Sequence, residues 1–305
     1  MSLTLDRKLS VSIYKMTSEN GNRKGLVLEG GGLRCCFTCG VLDVLMENNL
    51  AFDMTVGVSA GALFGCNYKS LQKGRGLRYN LRFKDDERYM GWKSLIRTGD
   101  YVNAEFSYHT LPEELDRFDY DTFRSNPMSF YVVCTDISKG QPVYHQLNTA
   151  DRVDMEWLRA SGSMPLFARP VIIDGMPLLD GGLADSIPVA FAERQGLDAV
   201  VVVLTQPYGY RKKPFRATFL FRWLMRKYPH VASLMANRHE MYNAQISYIE
   251  EEERKGNLLV IRPDSPLNIG RIEQNADKMK VAWQMGVQAT EARLEALKSF
   301  VNHID

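Results

Sequence analysis

A run of roughly 18 consecutive apolar residues occurs nowhere in the 305-residue chain, which excludes a conventional membrane-spanning helix. Low-complexity tracts and solenoid-type repeats are also missing. Charge of one sign is not in excess: 38 Lys and Arg against 36 Asp and Glu leave a formal charge of +2. That is too little to hold nucleic acid over the whole surface, so any electrostatic argument must be local. Cysteine is scarce and odd in number, with Cys35, Cys36, Cys39, Cys66 and Cys134. These read as reduced thiols of a cytoplasmic protein, not as a disulfide framework. Cys35, Cys36 and Cys39 crowd behind a glycine run, where they fit packing better than zinc ligation, and no metal or other cofactor is expected. The N-terminal stretch lacks the apolar core of a secretory signal, so residues 1–24 are expected to be a polar leader. What is present is ordinary for a globular chain, 45% hydrophobic and 24% charged, and long enough to bury a large core.

Short apolar runs alternate with helical patterns. Residues 25–28 form an apolar run that stops in three glycines, and Phe37, Val41, Leu42, Val44 and Leu45 then recur at helical spacing. Residues 52–58 predict a second strand, with Ser59 at its end and a helix of small residues starting at Ala60. Residues 73–127, charged and aromatic without a clean period, predict helices and loops that cover the sheet. Further strands are predicted over 129–135, 142–147, 197–204 and 258–261, with a hairpin turning at Asp174 and Gly175. A short helix over 155–160 and a long amphipathic one over 272–299 complete the pattern, which predicts an α/β sheet covered by helices. No linker divides it, so residues 25–305 are expected to be one domain with a C-terminal helical extension.

Two stretches carry chemistry. Gly57-Val58-Ser59-Ala60-Gly61 fits G-x-S-x-G after a strand and before a helix, where small neighbours suit a strained turn that presents a nucleophilic serine. Tertiary crowding alone would also explain Gly57 and Gly61. Upstream, Gly30, Gly31 and Gly32, followed by Leu33 and Arg34, allow backbone N–H groups to converge on the negative oxygen of a tetrahedral intermediate. A dinucleotide loop competes for the same glycines, but Cys35 occupies the third glycine position and Asp53 falls near the start of its strand instead of the end. A nucleophilic serine needs a base, and none of the five histidines sits in a recognisable motif. Asp180-Gly181-Gly182 follows a strand-like run, although Asp-Gly-Gly is by itself an ordinary turn. Ser70 and Lys73 fit S-x-x-K, but the companion S-D-N and K-T-G segments are absent.

These three segments, in this order, resemble the patatin-like phospholipase family, its bacterial members in particular, over roughly residues 25–205 with a looser continuation. The resemblance implies a three-layer α/β/α fold with a mostly parallel central sheet. It implies a Ser-Asp dyad without histidine, Ser59 as nucleophile and Asp180 as general base and acid, with Gly30, Gly31 and Gly32 as oxyanion hole. Arg34, Gly57, Gly61, Gly181 and Gly182 would support the site. The implied activity is hydrolysis of phospholipid or lysophospholipid esters. A non-catalytic lipid-binding protein on the same scaffold is the alternative, against which the intact serine, loop and aspartate argue. Cys35 departs from the glycine that many relatives carry there.

Residues 208–227 hold seven basic residues and no acidic one, among Phe215, Phe219, Phe221 and Trp223. The stretch fits an anionic membrane surface, an RNA or a core helix with a wet basic edge. Beside a lipid-hydrolase site the peripheral membrane reading is preferred, at the inner face, with Arg211, Lys212 and Lys213 as contacts and no nucleic-acid partner.

Overall fold

The computed structural model describes residues 23–302, so nearly all of the leader lies outside the described residues and the first strand opens at Lys24. Strands β1 (Lys24–Leu28), β2 (Met54–Val58), β3 (Ser129–Asp136), β4 (Gln141–Leu147), β5 (Val171–Ile173), β6 (Met176–Asp180), β7 (Ala199–Val203) and β8 (Leu258–Ile261) form one sheet. Its order is β5-β6-β3-β2-β1-β7-β8, with β4 also paired to β3. The five strands β3, β2, β1, β7 and β8 run parallel, while β4, β5 and β6 enter by antiparallel pairing.

Eleven α-helices follow in chain order among the described residues: α1 (Cys36–Glu47), α2 (Ala60–Lys69), α3 (Arg75–Phe83), α4 (Trp92–Thr98), α5 (Tyr120–Ser125), α6 (Arg152–Gly162), α7 (Val189–Glu193), α8 (Thr218–Leu224), α9 (Pro229–Lys255), α10 (Ala276–Glu291) and α11 (Leu294–Asn302). The central parallel strands β1, β2 and β7 are buried at every position because both faces are covered. Leu26, Leu28, Val201 and Val203 meet Phe37 and Val41 of α1, Leu158 of α6 and Leu297 of α11 on one face. Val27, Val200 and Val202 meet Tyr242, Ile246 and Ile249 of α9 on the other. This is the three-layer α/β/α arrangement that the resemblance implied.

Three differences from the sequence reading have local causes. The helix predicted over 155–160 starts earlier, because the Asp151 side chain caps α6 by accepting from the amides of Val153 and Asp154. The amphipathic run over 272–299 is two helices, α10 and α11, separated at Ala292 and Arg293. Finally, the run of four glutamates Glu250 to Glu253, which by composition reads most simply as a solvated helix end, is partly engaged. Glu250 accepts from Arg211 and from the Gly209 amide, and Glu253 pairs with Arg262.

One feature of the topology positions the site. One edge of β3 is paired along Phe130–Asp136 with β4. The other edge is shared: parallel β2 covers Ser129 to Val133, and antiparallel β6 takes over at Cys134, opposite Asp180. The two strands therefore run toward each other and end at adjacent residues of β3. Ser59 follows β2 and Asp180 ends β6, so residues 121 apart in sequence meet head to head.

Candidate active site

Ser59 sits at φ 54° and ψ −129°, a backbone region that a non-glycine residue occupies at a cost of about 1–3 kcal/mol. The surroundings hold it there. Its carbonyl accepts from the amides of Ala62 and Leu63 in the first turn of α2. Its amide donates to Ser161 Oγ at 2.8 Å, and Ser161 Oγ donates to the Val133 carbonyl at 2.6 Å. Sequence reasoning missed Ser161, because a serine in the last turn of a helix carries no motif. Ser161→Ala would leave the Ser59 N–H and the Val133 C=O unpaired in a buried place, at about 1–3 kcal/mol. We expect a matching loss in denaturant unfolding and a fall in kcat of about tenfold; unchanged stability and turnover would remove Ser161 from the account.

The two elbow glycines are required by close approach. A Cβ on Gly57 would stand 2.6 Å from the Ala62 Cα, and one on Gly61 would stand 2.7 Å from the Leu28 carbonyl oxygen. The glycine run lies directly against the elbow, since a Cβ on Gly30 would be 3.1 Å from the Ser59 Cβ. Gly32 has φ +59°, and the next residue, Leu33, donates its amide to the Arg271 carbonyl at 3.0 Å. Among the described residues, the amides of Gly30, Gly31 and Gly32 donate to no protein acceptor. Cys35, where the family pattern prompted doubt, is fully buried and points its thiol at the Glu29 carbonyl, 3.5 Å away. All five cysteines are buried, and burial pushes each thiol above its ordinary value, so none is a ready nucleophile.

Ser59 Oγ donates to Asp180 Oδ2 at 2.7 Å, and Asp180 Oδ1 accepts from the Gly182 amide at 2.8 Å. Burial pushes the Asp180 carboxyl above the usual range, against the Ser59 hydrogen bond, the Arg238 charge and the Gly182 amide, all of which pull it down. Gly181 packs so closely on β3 that a Cβ would meet the Val133 carbonyl oxygen at 2.2 Å. None of the four described histidines lines the cavity that opens on Ser59. His109 and His145 face Glu156 and Asp154, and His145 stacks on Trp157.

That cavity, of about 260 Å³, has Gly30, Gly31, Gly32, Ser59 and Asp180 on its floor. One wall is apolar, with Met164, Leu166, Phe167, Leu183, Phe215 and Phe221. A cationic wall gathers Arg34, Lys212, Arg238 and Arg271, close enough for their charges to act on one another. Burial, then the charges of Arg238 and Arg271, push Lys212 down to about 6. Of these cations only Arg34 belonged to the expected site. Arg238 and Arg271 lie far down the chain, in a helix and a loop without motif, and no local signal marks them.

A mostly parallel sheet carrying a serine elbow, a carboxylate at hydrogen-bonding distance and a free-amide glycine loop is the architecture of a serine-type carboxylic ester hydrolase. The chain belongs to the patatin-like phospholipase family, whose model matches residues 26–192. A second model, described as a domain of unknown function, matches residues 228–302. The chain is 30% identical over 273 residues to YjjU of Escherichia coli strain K12, described as uncharacterized, covering 87% of this chain and 75% of that one. It is 27% identical over 305 residues to the lysophospholipase nte1 of Aspergillus terreus, covering 92% of this chain but only 18% of that protein. VipD from Legionella pneumophila superposes with a TM-score of 0.46 and 14% identity, over 90% of this chain and 67% of that one.

Proposed function

We propose that the protein is a serine lipid acyl hydrolase that cleaves carboxylic esters of phospholipids or lysophospholipids through a Ser59–Asp180 dyad. The observation that carries this reading is the 2.7 Å hydrogen bond from Ser59 Oγ to the buried Asp180 carboxylate, at the floor of a half-apolar cavity. Ser59 Oγ attacks the acyl carbonyl carbon as its proton passes to Asp180, and the amides of the Gly30–Gly32 run hold the oxyanion. Collapse breaks the ester C–O bond, and Asp180 returns the proton to the leaving alkoxide. Asp180 then takes a proton from water, which attacks the acyl-serine; the proton goes to Ser59 Oγ as the fatty acid leaves. The apolar wall accommodates the acyl chain. A raised carboxylate suits this work, because a base held closer to neutrality accepts the serine proton more readily.

Residues 25–305 act as one unit in this reading. The support is that α10 packs backbone to backbone on α1, where a Cβ on Gly40 would meet the Trp283 carbonyl and one on Gly286 would meet that of Phe37. Hydrolysis is tested by incubating the protein with a lysophospholipid and identifying free fatty acid by mass. Release by the native protein and none by Ser59→Ala is expected; binding without turnover by either would favour a non-catalytic lipid binder.

The substrate reaches the site at a membrane surface. Among the described residues no helix is long and apolar enough to cross a bilayer. However, α8 exposes Phe219 at 89%, Leu220 at 57% and Trp223 at 59%, with only Phe221 buried, so it is not a core helix. Phe215 and Phe221 reach the cavity from the same segment. Arg216, Arg222, Arg226 and Lys227 are exposed around these apolar side chains. Arg211 pairs with Glu250 and Lys212 lies in the cavity, so those two are not the docking cations the sequence suggested. In this reading the protein is cytoplasmic and docks at the inner face; the support is that its five cysteines are buried and unpaired. Phe219→Ser with Trp223→Ser should weaken binding to phosphatidylglycerol vesicles by about tenfold or more, since a buried aromatic contributes about 1.5–3 kcal/mol. Undiminished sedimentation with vesicles would reject α8 as the docking element.

A further inference from the structure

We propose that the cationic wall formed by Arg34, Lys212, Arg238 and Arg271 is a subsite for a terminal phosphate monoester, and that the preferred substrate is an acyl glycerophosphate without a choline or ethanolamine cap. The proposal rests on the lipid-hydrolase reading and names the headgroup that reading leaves open. The four cations come from separate parts of the chain: the glycine loop, the segment after β7, helix α9 and the loop before α10. Like charges gathered on one wall repel one another, and among the described residues none of the four has a carboxylate within ion-pair distance. The acids that face them are already engaged. Glu29 accepts from the Thr205 amide, the Thr205 hydroxyl and the Tyr242 hydroxyl, and Asp180 accepts from Ser59 and Gly182.

Donors are left over. Arg34 Nε is buried with no hydrogen-bond partner, an unfavourable state that a ligand acceptor would relieve. Arg238 spends Nε on the Gly182 carbonyl and one terminal nitrogen on Ser186. Lys212 lies 3.8 Å over the Tyr242 ring, which occupies the aromatic face a quaternary ammonium would want. Three arginines stand against the carboxylates of Glu29 and Asp180, and Lys212, held largely neutral near pH 7 by burial and by those arginines, regains its proton beside a bound anion; together they match an ion of about −1.5 to −2, which is a phosphate monoester at neutral pH. A choline or ethanolamine cap would bring a further cation to the same wall. Arg238 and Arg271 both lie in the segment matched only by the model of unknown function, so headgroup recognition is the role this assigns to that segment.

The test uses full-length Ser59→Ala protein, which binds without turnover, titrated calorimetrically with a short-chain lysophosphatidic acid, the monoacylglycerol and lysophosphatidylcholine of the same chain, glycerol 3-phosphate and inorganic phosphate. The lysophosphatidic acid is expected to bind about 100-fold more tightly than either phosphate-monoester-free lipid, and Arg34→Met and Lys212→Met should each narrow that ratio about tenfold. Equal affinity for the three lipids, or a ratio that neither variant changes, would overturn the subsite. Inorganic phosphate or glycerol 3-phosphate binding as tightly as the acylated ligand would overturn the substrate assignment in favour of a free phosphate ligand. Turnover by the native protein is measured alongside. If no lipid is hydrolysed, the hydrolase reading fails, while the binding ratios still decide the subsite.

Discussion

Ser59→Ala and Asp180→Asn are each expected to lower ester turnover by roughly 10⁴-fold, with the double variant little worse than either single one. In the proposed mechanism the two groups act as a unit, so removing either leaves only binding and the oxyanion amides. Both variants should keep the fold, because neither side chain carries the packing of its strand. The Asp180 variant also has a signed effect on stability. Burial raises its carboxyl in the folded state above the unfolded value. The folded state therefore holds that proton more tightly, and this contribution to stability is fully present below the unfolded value and is lost as pH rises through the folded one. Asparagine removes the buried charge, so the thermal midpoint of Asp180→Asn should equal or exceed that of the native protein near neutral pH. The gain should shrink as pH falls into the ordinary carboxylate range. In turnover, the acid limb of the pH profile should lie above that range, because the base must be ionised. A variant less stable at neutral pH than in acid, relative to the native protein, would contradict the raised carboxyl.

Gly32→Ala is expected to cost about 10²- to 10³-fold in kcat, the range for loss of one oxyanion donor. The added Cβ would stand 2.4 Å from the Arg271 carbonyl oxygen, at a φ of +59° that alanine resists. Either the glycine loop or the Arg271 loop must move. The bond from the Leu33 amide to that same carbonyl ties the two together, so amide alignment and the cationic wall are disturbed in one step. Steady-state kinetics on a neutral short-chain ester should show the loss in kcat rather than in KM alone. Unimpaired turnover would separate the loop from oxyanion stabilisation.

Much of this arrangement was legible in the sequence because it is local. The valine run of β7, the glycines before α1 and the small residues around Ser59 each announce their geometry within a few positions. The turn at Asp174 and Gly175 does the same, with φ values of 48° and 77° that suit a two-residue hairpin. The pairing of Ser59 with Asp180 was implied by family resemblance, and its physical cause lies in the shared edge of β3, which no local pattern encodes. Ser161 is illegible for the same reason: it acts by bridging an elbow amide to a carbonyl of another strand. Arg238 and Arg271 are ordinary basic residues in sequence, and only the packing of α9 on the sheet and the tie between the Arg271 loop and the glycine loop bring them to the cavity. The 208–227 stretch divided in a way composition could not show, with Lys212 turned inward and the aromatic face of α8 outward.

The central claim is that Ser59 is the nucleophile and Asp180 its base. The most direct measurement reacts the protein with a fluorophosphonate, which forms a phosphonyl–oxygen bond to an activated serine with loss of fluoride, and maps the adduct by peptide mass. One equivalent on Ser59 is predicted, absent in Ser59→Ala and strongly slowed in Asp180→Asn. An adduct on another residue, or full-speed labelling of Ser59 in Asp180→Asn, would contradict it.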